Sequence, residues 1–277
     1  MPITRTIQFF AAALFTITAT ACAGLPDLRP EQVLDGVTQA ESDKARALID
    51  RAAELSGGRE LLNQHDAFQA VFLDVWTNRF ARALFLEYDP NQRISVYSEN
   101  PDVSNVRMTL VNGDRAGEVW GLEDNKVFIE RDGAREFTDD VGTMLYIKNP
   151  AALVLIPLRL AWADKVAYTG SITHEGKNYE TVFATWETFE PNETFDQWML
   201  WFDPDTGFLA KAHLTVRETG GGPVKEGAID FADYKRFGDV VVPTKISALF
   251  SIDGSSLRTY NLESFEWVDA PREQASR

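Results

Sequence analysis

The chain has 277 residues, of which 44% are hydrophobic and 25% are charged, and 42 acidic residues outnumber 27 basic ones. This composition is typical of a folded globular protein rather than a disordered one. The net charge of −15 repels phosphate backbones, so we expect no nucleic-acid partner. It also repels anionic lipid headgroups, so any membrane attachment is expected to depend on acyl chains.

The N-terminus has the features of an export signal. Arg5 is the only charged residue in 1–21, and the apolar run ends in small residues just before Cys22, the only cysteine of the chain. A short basic start, an apolar stretch and a small-residue end define a secretory signal. The site resembles the lipobox of bacterial lipoproteins, with Ala19 in place of the usual leucine. We predict a signal peptide over 1–21 and lipidation of Cys22; the alternative is an unmodified cysteine beside an ordinary cleavage site.

The same resemblance implies a cellular location. A lipidated export product belongs to the bacterial cell envelope, on the periplasmic side. The residue after the cysteine is Ala23, not the aspartate linked to inner-membrane retention, which implies anchoring in the outer membrane. Lipidation would make acyl chains the contact between this protein and the membrane.

The remaining chain divides into three parts. Residues 22–40 contain two prolines and few large apolar groups, which predicts a tether from the lipidated cysteine. Residues 41–268 are predicted to form a single domain, and 269–277 a flexible C-terminal tail. The domain begins with an amphipathic helix, for which Ser42 is a plausible N-cap and Gly57-Gly58 the end.

Short segments rich in Val, Phe, Tyr and Trp follow, separated by turn residues at near-regular spacing. Such a pattern predicts an antiparallel meander in a mainly β (α+β) domain. The predicted strands are 68–76, 80–88, 93–97, 106–111, 115–122, 126–131, 165–173, 178–186, 197–203, 208–217, 227–235, 239–251 and 256–267.

Segment 150–162 interrupts this pattern, because Arg159 is its only charged residue. A helical segment without a polar face is expected to be buried or to pack in a concave space. Strands 68–76 and 197–203 are apolar on both faces, which indicates either a covered second face or the wall of an apolar cavity. The candidate cavity residues are Phe72, Trp76, Leu153, Leu155, Leu158, Leu160, Trp162 and Trp198; the alternative is an ordinary two-layer core.

The residues that usually carry chemistry form no recognisable motif. The three histidines are far apart in sequence, and no nucleophile elbow or phosphate-binding glycine loop is present, so we expect no metal, no cofactor and no catalysis. Asp203-Pro-Asp-Thr-Gly207 is interpreted as a turn rather than a calcium loop. The acidic residues of 187–196 are interpreted as a solvated hairpin, although a sugar or cation site there stays open.

Several stretches together resemble the LolA/LolB-type lipoprotein carriers over residues 42–268. They are Pro157-Leu-Arg-Leu followed by Tyr168-Thr-Gly, Gly176-Lys-Asn-Tyr179, Trp201-Phe-Asp-Pro-Asp-Thr-Gly207, and Asp233-Tyr-Lys-Arg-Phe-Gly238 followed by Val242-Pro243. The resemblance implies a strongly curved antiparallel sheet, a half-barrel, with helices plugging its concave side.

The functional expectation combines these observations. The chain is expected to be an exported, lipid-anchored protein that binds an apolar ligand, a lipid or an acylated protein, without catalysis. Two alternatives remain: an envelope hydrolase that uses acidic residues, and an interaction or scaffold lipoprotein whose interior is filled by its own side chains. The sequence leaves the oligomeric state open.

Overall fold

The computed structural model describes residues 25–85, 89–99, 103–217, 226–249 and 251–269. The predicted signal peptide, Cys22 and residues 270–277 of the predicted tail lie outside these ranges. The helices are α1 (Glu31–Leu34), α2 (Gln39–Leu55), α3 (Leu61–Gln64), α4 (Arg79–Phe85), α5 (Val141–Leu153) and α6 (Ile156–Arg159), followed by a 3-10 turn (Leu160–Trp162).

Thirteen strands form one sheet whose neighbouring pairs are all antiparallel. They are β1 (Ala67–Trp76), β2 (Asn91–Glu99), β3 (Val106–Leu110), β4 (Val119–Glu123), β5 (Lys126–Arg131), β6 (Ala134–Thr138), β7 (Lys165–His174), β8 (Lys177–Thr185), β9 (Trp198–Phe202), β10 (Leu209–Thr215), β11 (Glu226–Phe237), β12 (Val240–Leu249) and β13 (Ser256–Val268).

The strand order explains the shape of the molecule. It runs β6-β5-β4-β3-β2-β1-β13-β12-β11-β10-β9-β8-β7, so two meanders meet where β1 pairs with β13. The sheet is curved and does not close, which confirms the predicted half-barrel. The edge strands β6 and β7 are joined by residues 139–164, which contain α5, α6 and the 3-10 turn. This connection links the two edges across the concave side, where α5 contacts β2, β3 and β4.

Helix α2 is the second element on the concave side. Its N-cap is Thr38, which forms a reciprocal capping box with Glu41, so the helix starts about one turn before the predicted cap. It buries Ala45 and Ile49 and ends just before Gly57, whose φ of 123° is strained for any residue with a side chain. The capping box satisfies two N-terminal donors, which accounts for the earlier start.

One predicted strand is wrong. The described part of 80–88 belongs to α4, which begins directly after β1. Asn78 Oδ1 accepts a hydrogen bond of 2.9 Å from the Ala81 N–H, the usual N-cap geometry. A short run of apolar residues is compatible with a strand or a helix, and here the Asn78 cap favours the helix.

The described part of the predicted tether lies against the convex face of the sheet. The Leu28 N–H donates to Gln197 Oε1 at 2.7 Å, and Arg217 Nη2 donates to the Pro26 carbonyl at 2.7 Å. Val33 packs with Ala167 and Phe183 in a small separate core. These contacts hold 25–37 on the domain, whereas its composition alone predicts a free spacer.

Candidate functional site: the interior of the half-barrel

The concave face of the sheet is an apolar wall. Along β1 the even-numbered residues point inward, and Phe68, Ala70 and Phe72 are completely buried. Ile94 of the adjacent strand β2 and Met108 of the next strand, β3, are equally buried. All of these side chains belong to one continuous cluster that extends through the helices. The concave wall is therefore a continuous apolar surface beneath its cover.

The cover of this wall is the connection between the two edge strands, and we call residues 141–162 the plug. Asp140 caps its first helix, accepting a 2.6 Å hydrogen bond from the Thr143 N–H. At the other end, the Arg46 guanidinium donates to the carbonyls of Ala161, at 3.0 Å, and of Ala163. Proline at the start of α6 is compatible with a new helix.

The helices of the plug meet at an angle of 79° between α5 and the unit formed by α6 and the 3-10 turn. No single helix in the described residues is long and apolar enough to span a membrane; this bent pair reaches that length and composition only together. In the structure the plug is largely buried against the sheet and α2.

The structure places the eight sequence-predicted cavity residues in or against its main core. Phe72 and Leu155 have no exposed surface, and all eight belong to, or pack against, the main core cluster. They are Phe72, Trp76, Leu153, Leu155, Leu158, Leu160, Trp162 and Trp198. In this conformation the plug's side chains occupy the interior, so whether these residues bind a ligand stays a prediction.

A cavity of about 350 Å³ lies elsewhere. It is on the convex face, where Met199 and Trp201 point away from the main core, and Pro30 and Ile252 form its sides. None of the eight predicted residues lines it. Any experiment on ligand binding must therefore separate the interior from this outer cavity.

A buried ion pair stands at one end of the interior, and sequence reasoning missed it. Arg258 donates to both oxygens of Asp74, from Nη2 at 2.7 Å and from Nε at 3.2 Å. The Asp74 side chain is wholly buried and that of Arg258 is 7% exposed. The rings of Trp76, Tyr146 and Tyr260 surround the guanidinium, with centroids 4.7, 5.0 and 4.3 Å from Cζ. One sequence signal was available: Asp74 interrupts the inward apolar positions of β1.

The three histidines lie in separate places, each close to a carboxylate. His65 Nε2 is 3.1 Å from Asp239 Oδ2, and the His213 ring is 3.1 Å from Glu226. His174 Nδ1 is 3.2 Å from Asp253. Within the described ranges, no group of three or more His, Cys, Asp or Glu side chains could hold a metal ion.

The acidic turn at 203–207 has a structural role. Asp203 Oδ1 accepts from the Asp205 N–H at 3.0 Å, and Asp203 Oδ2 lies 2.8 Å from Lys177 Nζ. Partial burial by itself would raise the pKa of Asp203. Hydrogen bonds, that from Lys177 among them, outweigh this effect, so the net pKa lies below the ordinary value. Both oxygens of this carboxylate are thus engaged, one by the backbone of the turn and one by Lys177.

Comparison with solved structures identifies the architecture. A LolA superfamily protein from Nitrosomonas europaea superimposes with a TM-score of 0.51 at 10% sequence identity, over 82% of this chain and 94% of that one. A DUF1329 family protein from Desulfovibrio piger gives a TM-score of 0.50 at 9% identity, over 80% of this chain and 92% of that one. The chain has a LolA-like fold. No protein-family model matches the sequence, and no curated protein matches it.

The LolA-like fold agrees with the resemblance that the turn and strand signatures indicate. At these identities the likeness concerns the path of the backbone. The role of the residues that fill the half-barrel must be argued from the contacts of this chain.

Proposed function

We propose that this protein binds the acyl part of an amphiphile, a lipid or an acylated protein, between the concave wall and the plug, without catalysis. The observation that supports the proposal is the plug itself. It joins the two edges of an open sheet, it is apolar towards that sheet, and its two helical parts meet at a 79° bend. If the plug moved outward and an acyl chain took its place, the wall would exchange one apolar neighbour for another.

The energetics of such an exchange are balanced. Each buried methylene contributes about 0.8 kcal/mol, so ten of them supply roughly 8 kcal/mol, which corresponds to about micromolar affinity. From this the cost of displacing the side chains of the plug must be subtracted. Weak, reversible binding is therefore expected, as suits a protein that takes up and releases its ligand.

Binding is tested with the Cys22→Ser variant of the mature chain and a fluorescent acyl probe, offered with an ester head and with a carboxylate head. Saturable binding with a change in hydrogen exchange of 141–162 supports the proposal. Leu155→Trp adds volume to the interior and should weaken binding at least several-fold, since overpacking displaces neighbours. Met199→Trp makes the matched change at the convex cavity and should leave the affinity unaltered.

Two outcomes contradict the proposal. A folded protein that binds neither probe would indicate a permanently filled interior, which is the scaffold alternative. Binding that is lost in Met199→Trp and kept in Leu155→Trp would place the ligand on the convex face. Thermal unfolding of each variant, compared with that of the parent protein, shows whether the fold is intact.

The anchor is part of the same proposal. We propose that Cys22 carries acyl chains that hold the protein at the periplasmic face of the outer membrane. Two or more chains are needed for stable attachment. Cells grown with labelled fatty acid should yield a labelled wild-type protein in the membrane fraction and an unlabelled, released Cys22→Ser protein. A wild-type protein that takes up no label would contradict lipidation and leave the interior site to be judged separately.

A further inference from the structure

The two edges of the sheet differ in how accessible they are to another strand. At one edge, β7 contains a bulge between Tyr168 and Gly170, and α1 and α2 both pack against it. Bulges and covering elements are common means of keeping an edge strand from pairing with other chains. At the other edge, β6 pairs with β5 in an unbroken register, and α5, which follows it, packs on β2, β3 and β4. β6 therefore presents a regular strand edge.

The hairpin turn before β6 determines which of its backbone groups face outward. Asp132 and Gly133 have φ of 50° and 79°, as in the two-residue turns that join twisted antiparallel strands. The residues that flank this turn lie opposite each other, and in a turn of this kind they form a hydrogen-bonded pair. Hydrogen-bonded pairs then recur at every second residue, so the even-numbered residues of β6 bond to β5. The N–H and C=O groups of Arg135 and Phe137 therefore point away from the sheet.

The side chains at these two positions share the face that Phe128 occupies, away from the main core. Phe137 is 61% exposed, and its ring centroid lies 6.2 Å from that of Phe128. Arg135 Cζ is 4.2 Å from the Phe128 centroid, and its guanidinium also contacts Glu123 and Glu130, at 2.6 and 3.2 Å. Aromatic residues and arginine are enriched in protein interfaces, and here they lie beside outward-facing backbone groups.

A second copy of β6 is a complementary partner for this edge. Two copies related by a two-fold axis pair antiparallel, and the residue on the axis faces itself. With Phe137 on the axis, the two phenyl rings form a cross-strand pair, and Arg135 of each copy faces Asp139 of the other. Such aromatic and opposite-charge pairs stabilise a sheet. The chain is still extended at Asp140, with φ of −72° and ψ of 110°, so Asp139 continues the line of β6.

The neighbouring registers bring like charges together. With Arg135 on the axis the two guanidinium groups face each other, and with Glu136 on the axis the two carboxylates do. Like charges directly opposite each other destabilise a pair of strands. The register with Phe137 on the axis avoids both contacts and uses the outward-facing backbone groups. A guanidinium can bind several carboxylates at once, so Arg135 can keep its partners within the chain.

We propose that β6 is a homodimerisation edge, through which two copies of this protein join their sheets with Phe137 on the two-fold axis. A strand this short buries much less than the roughly 800 Å² per partner of a standard stable interface. The dimer is therefore weak and forms at high local concentration. This inference is independent of ligand binding, because it concerns the outer edge of the sheet and not the interior.

The first test is sedimentation velocity on the Cys22→Ser variant of the mature chain, in physiological salt that screens the net charge of −15. The protein should form a dimer that dissociates on dilution. Asp139→Arg places two arginines opposite each other and should weaken association about tenfold or more. Arg135→Asp combined with Asp139→Arg restores opposite charges and should recover it. Glu31→Arg, an equal change of charge at an exposed position of α1, should leave association unaltered.

Disulfide crosslinking tests the register and does not depend on the charge variants. Phe137→Cys in the Cys22→Ser protein brings two thiols opposite each other and should give a disulfide-linked dimer under mild oxidation. Ala134→Cys, on the same edge, leaves its thiols about 20 Å apart and should remain unlinked. A protein that stays monomeric at every concentration tested and does not crosslink at 137 overturns the proposal. Equal crosslinking at 134 and 137, or association that Asp139→Arg leaves unchanged, would place the contact on another surface and overturn it as well.

Discussion

Arg258 and Asp74 face each other across β13 and β1, 2.7 Å apart at their closest atoms, inside an apolar core. Such a pair exchanges the hydration of two ions for one bidentate contact, so its net contribution to stability is small. Removal of one partner, by contrast, takes the bidentate contact away from a charge that stays buried, which is strongly destabilising. This asymmetry leads to the first prediction.

Asp74→Ala is expected to lower the free energy of unfolding by about 3–5 kcal/mol, because the buried Arg258 guanidinium then loses its bidentate carboxylate partner. The double change Asp74→Leu with Arg258→Met should recover most of that loss. Urea denaturation followed by tryptophan fluorescence measures both. Asp230→Ala, which breaks a pair that water reaches, should cost less than about 1 kcal/mol. A single Asp74 variant as stable as that control would show that the pair is solvated.

Arg46→Ala should loosen the plug. Its guanidinium bonds the carbonyls of Ala161 and Ala163 where the 3-10 turn ends, and a hydrogen bond to a charged group is worth about 1.5–3 kcal/mol. We expect faster hydrogen exchange in 141–162 and faster uptake of an acyl probe. Arg51→Ala, at an exposed position of the same helix, is the control. Identical exchange in both variants would mean that Arg46 does not hold the plug.

The N-cap of the plug predicts a dependence on pH. Hydrogen bonds from Thr143 lower the pKa of Asp140 below its ordinary value. Because the pKa of this carboxyl group is lower in the folded state than in the unfolded chain, the ionised form stabilises the fold at pH values above the ordinary pKa. This stabilisation is lost as the pH falls through the lowered pKa. The plug should therefore loosen from about pH 4 downward.

Asp140→Asn keeps a capping side chain but cannot titrate. Hydrogen exchange of 141–153 in this variant should show less acid dependence than in the wild type, with similar rates at pH 7. Asp140→Ala should cost about 1 kcal/mol at neutral pH. An unchanged acid response in Asp140→Asn would assign the effect to another group.

Alanine substitutions at two neighbouring glycines, Gly57 and Gly58, distinguish the effect of a steric clash from that of backbone strain. A Cβ at Gly57 would lie 2.7 Å from the Asp239 carbonyl oxygen, whereas one at Gly58 meets nothing within 4 Å. Both have positive φ, so alanine is strained at either site by about 1–3 kcal/mol. Thermal unfolding should show a clearly larger loss for Gly57→Ala than for Gly58→Ala. Equal losses would mean that strain alone matters and that α2 can shift away from β12.

Local patterns in the sequence determined much of the architecture. Strands with turns between them, the helix that ends at Gly57-Gly58 and the apolar stretch at 150–162 all depend on neighbouring residues, and the structure contains each of them. The strand predicted at 80–88 failed because the Asn78 cap outweighs β propensity over so short a run. The weak edge strand β6 was missed because its residues are almost all exposed and show no alternation.

Contacts between distant residues were decided only by the tertiary structure. Asp74 and Arg258 are 184 positions apart, and nothing near either one specifies that β13 returns beside β1. The same holds for Arg46 reaching the end of the plug and for Gln197 holding the segment that composition predicts to be a free tether. The sequence by itself determined which segments must be buried. The pairing and curvature of a long antiparallel sheet determined what they are buried against, because strand register, unlike periodicity, depends on the whole chain.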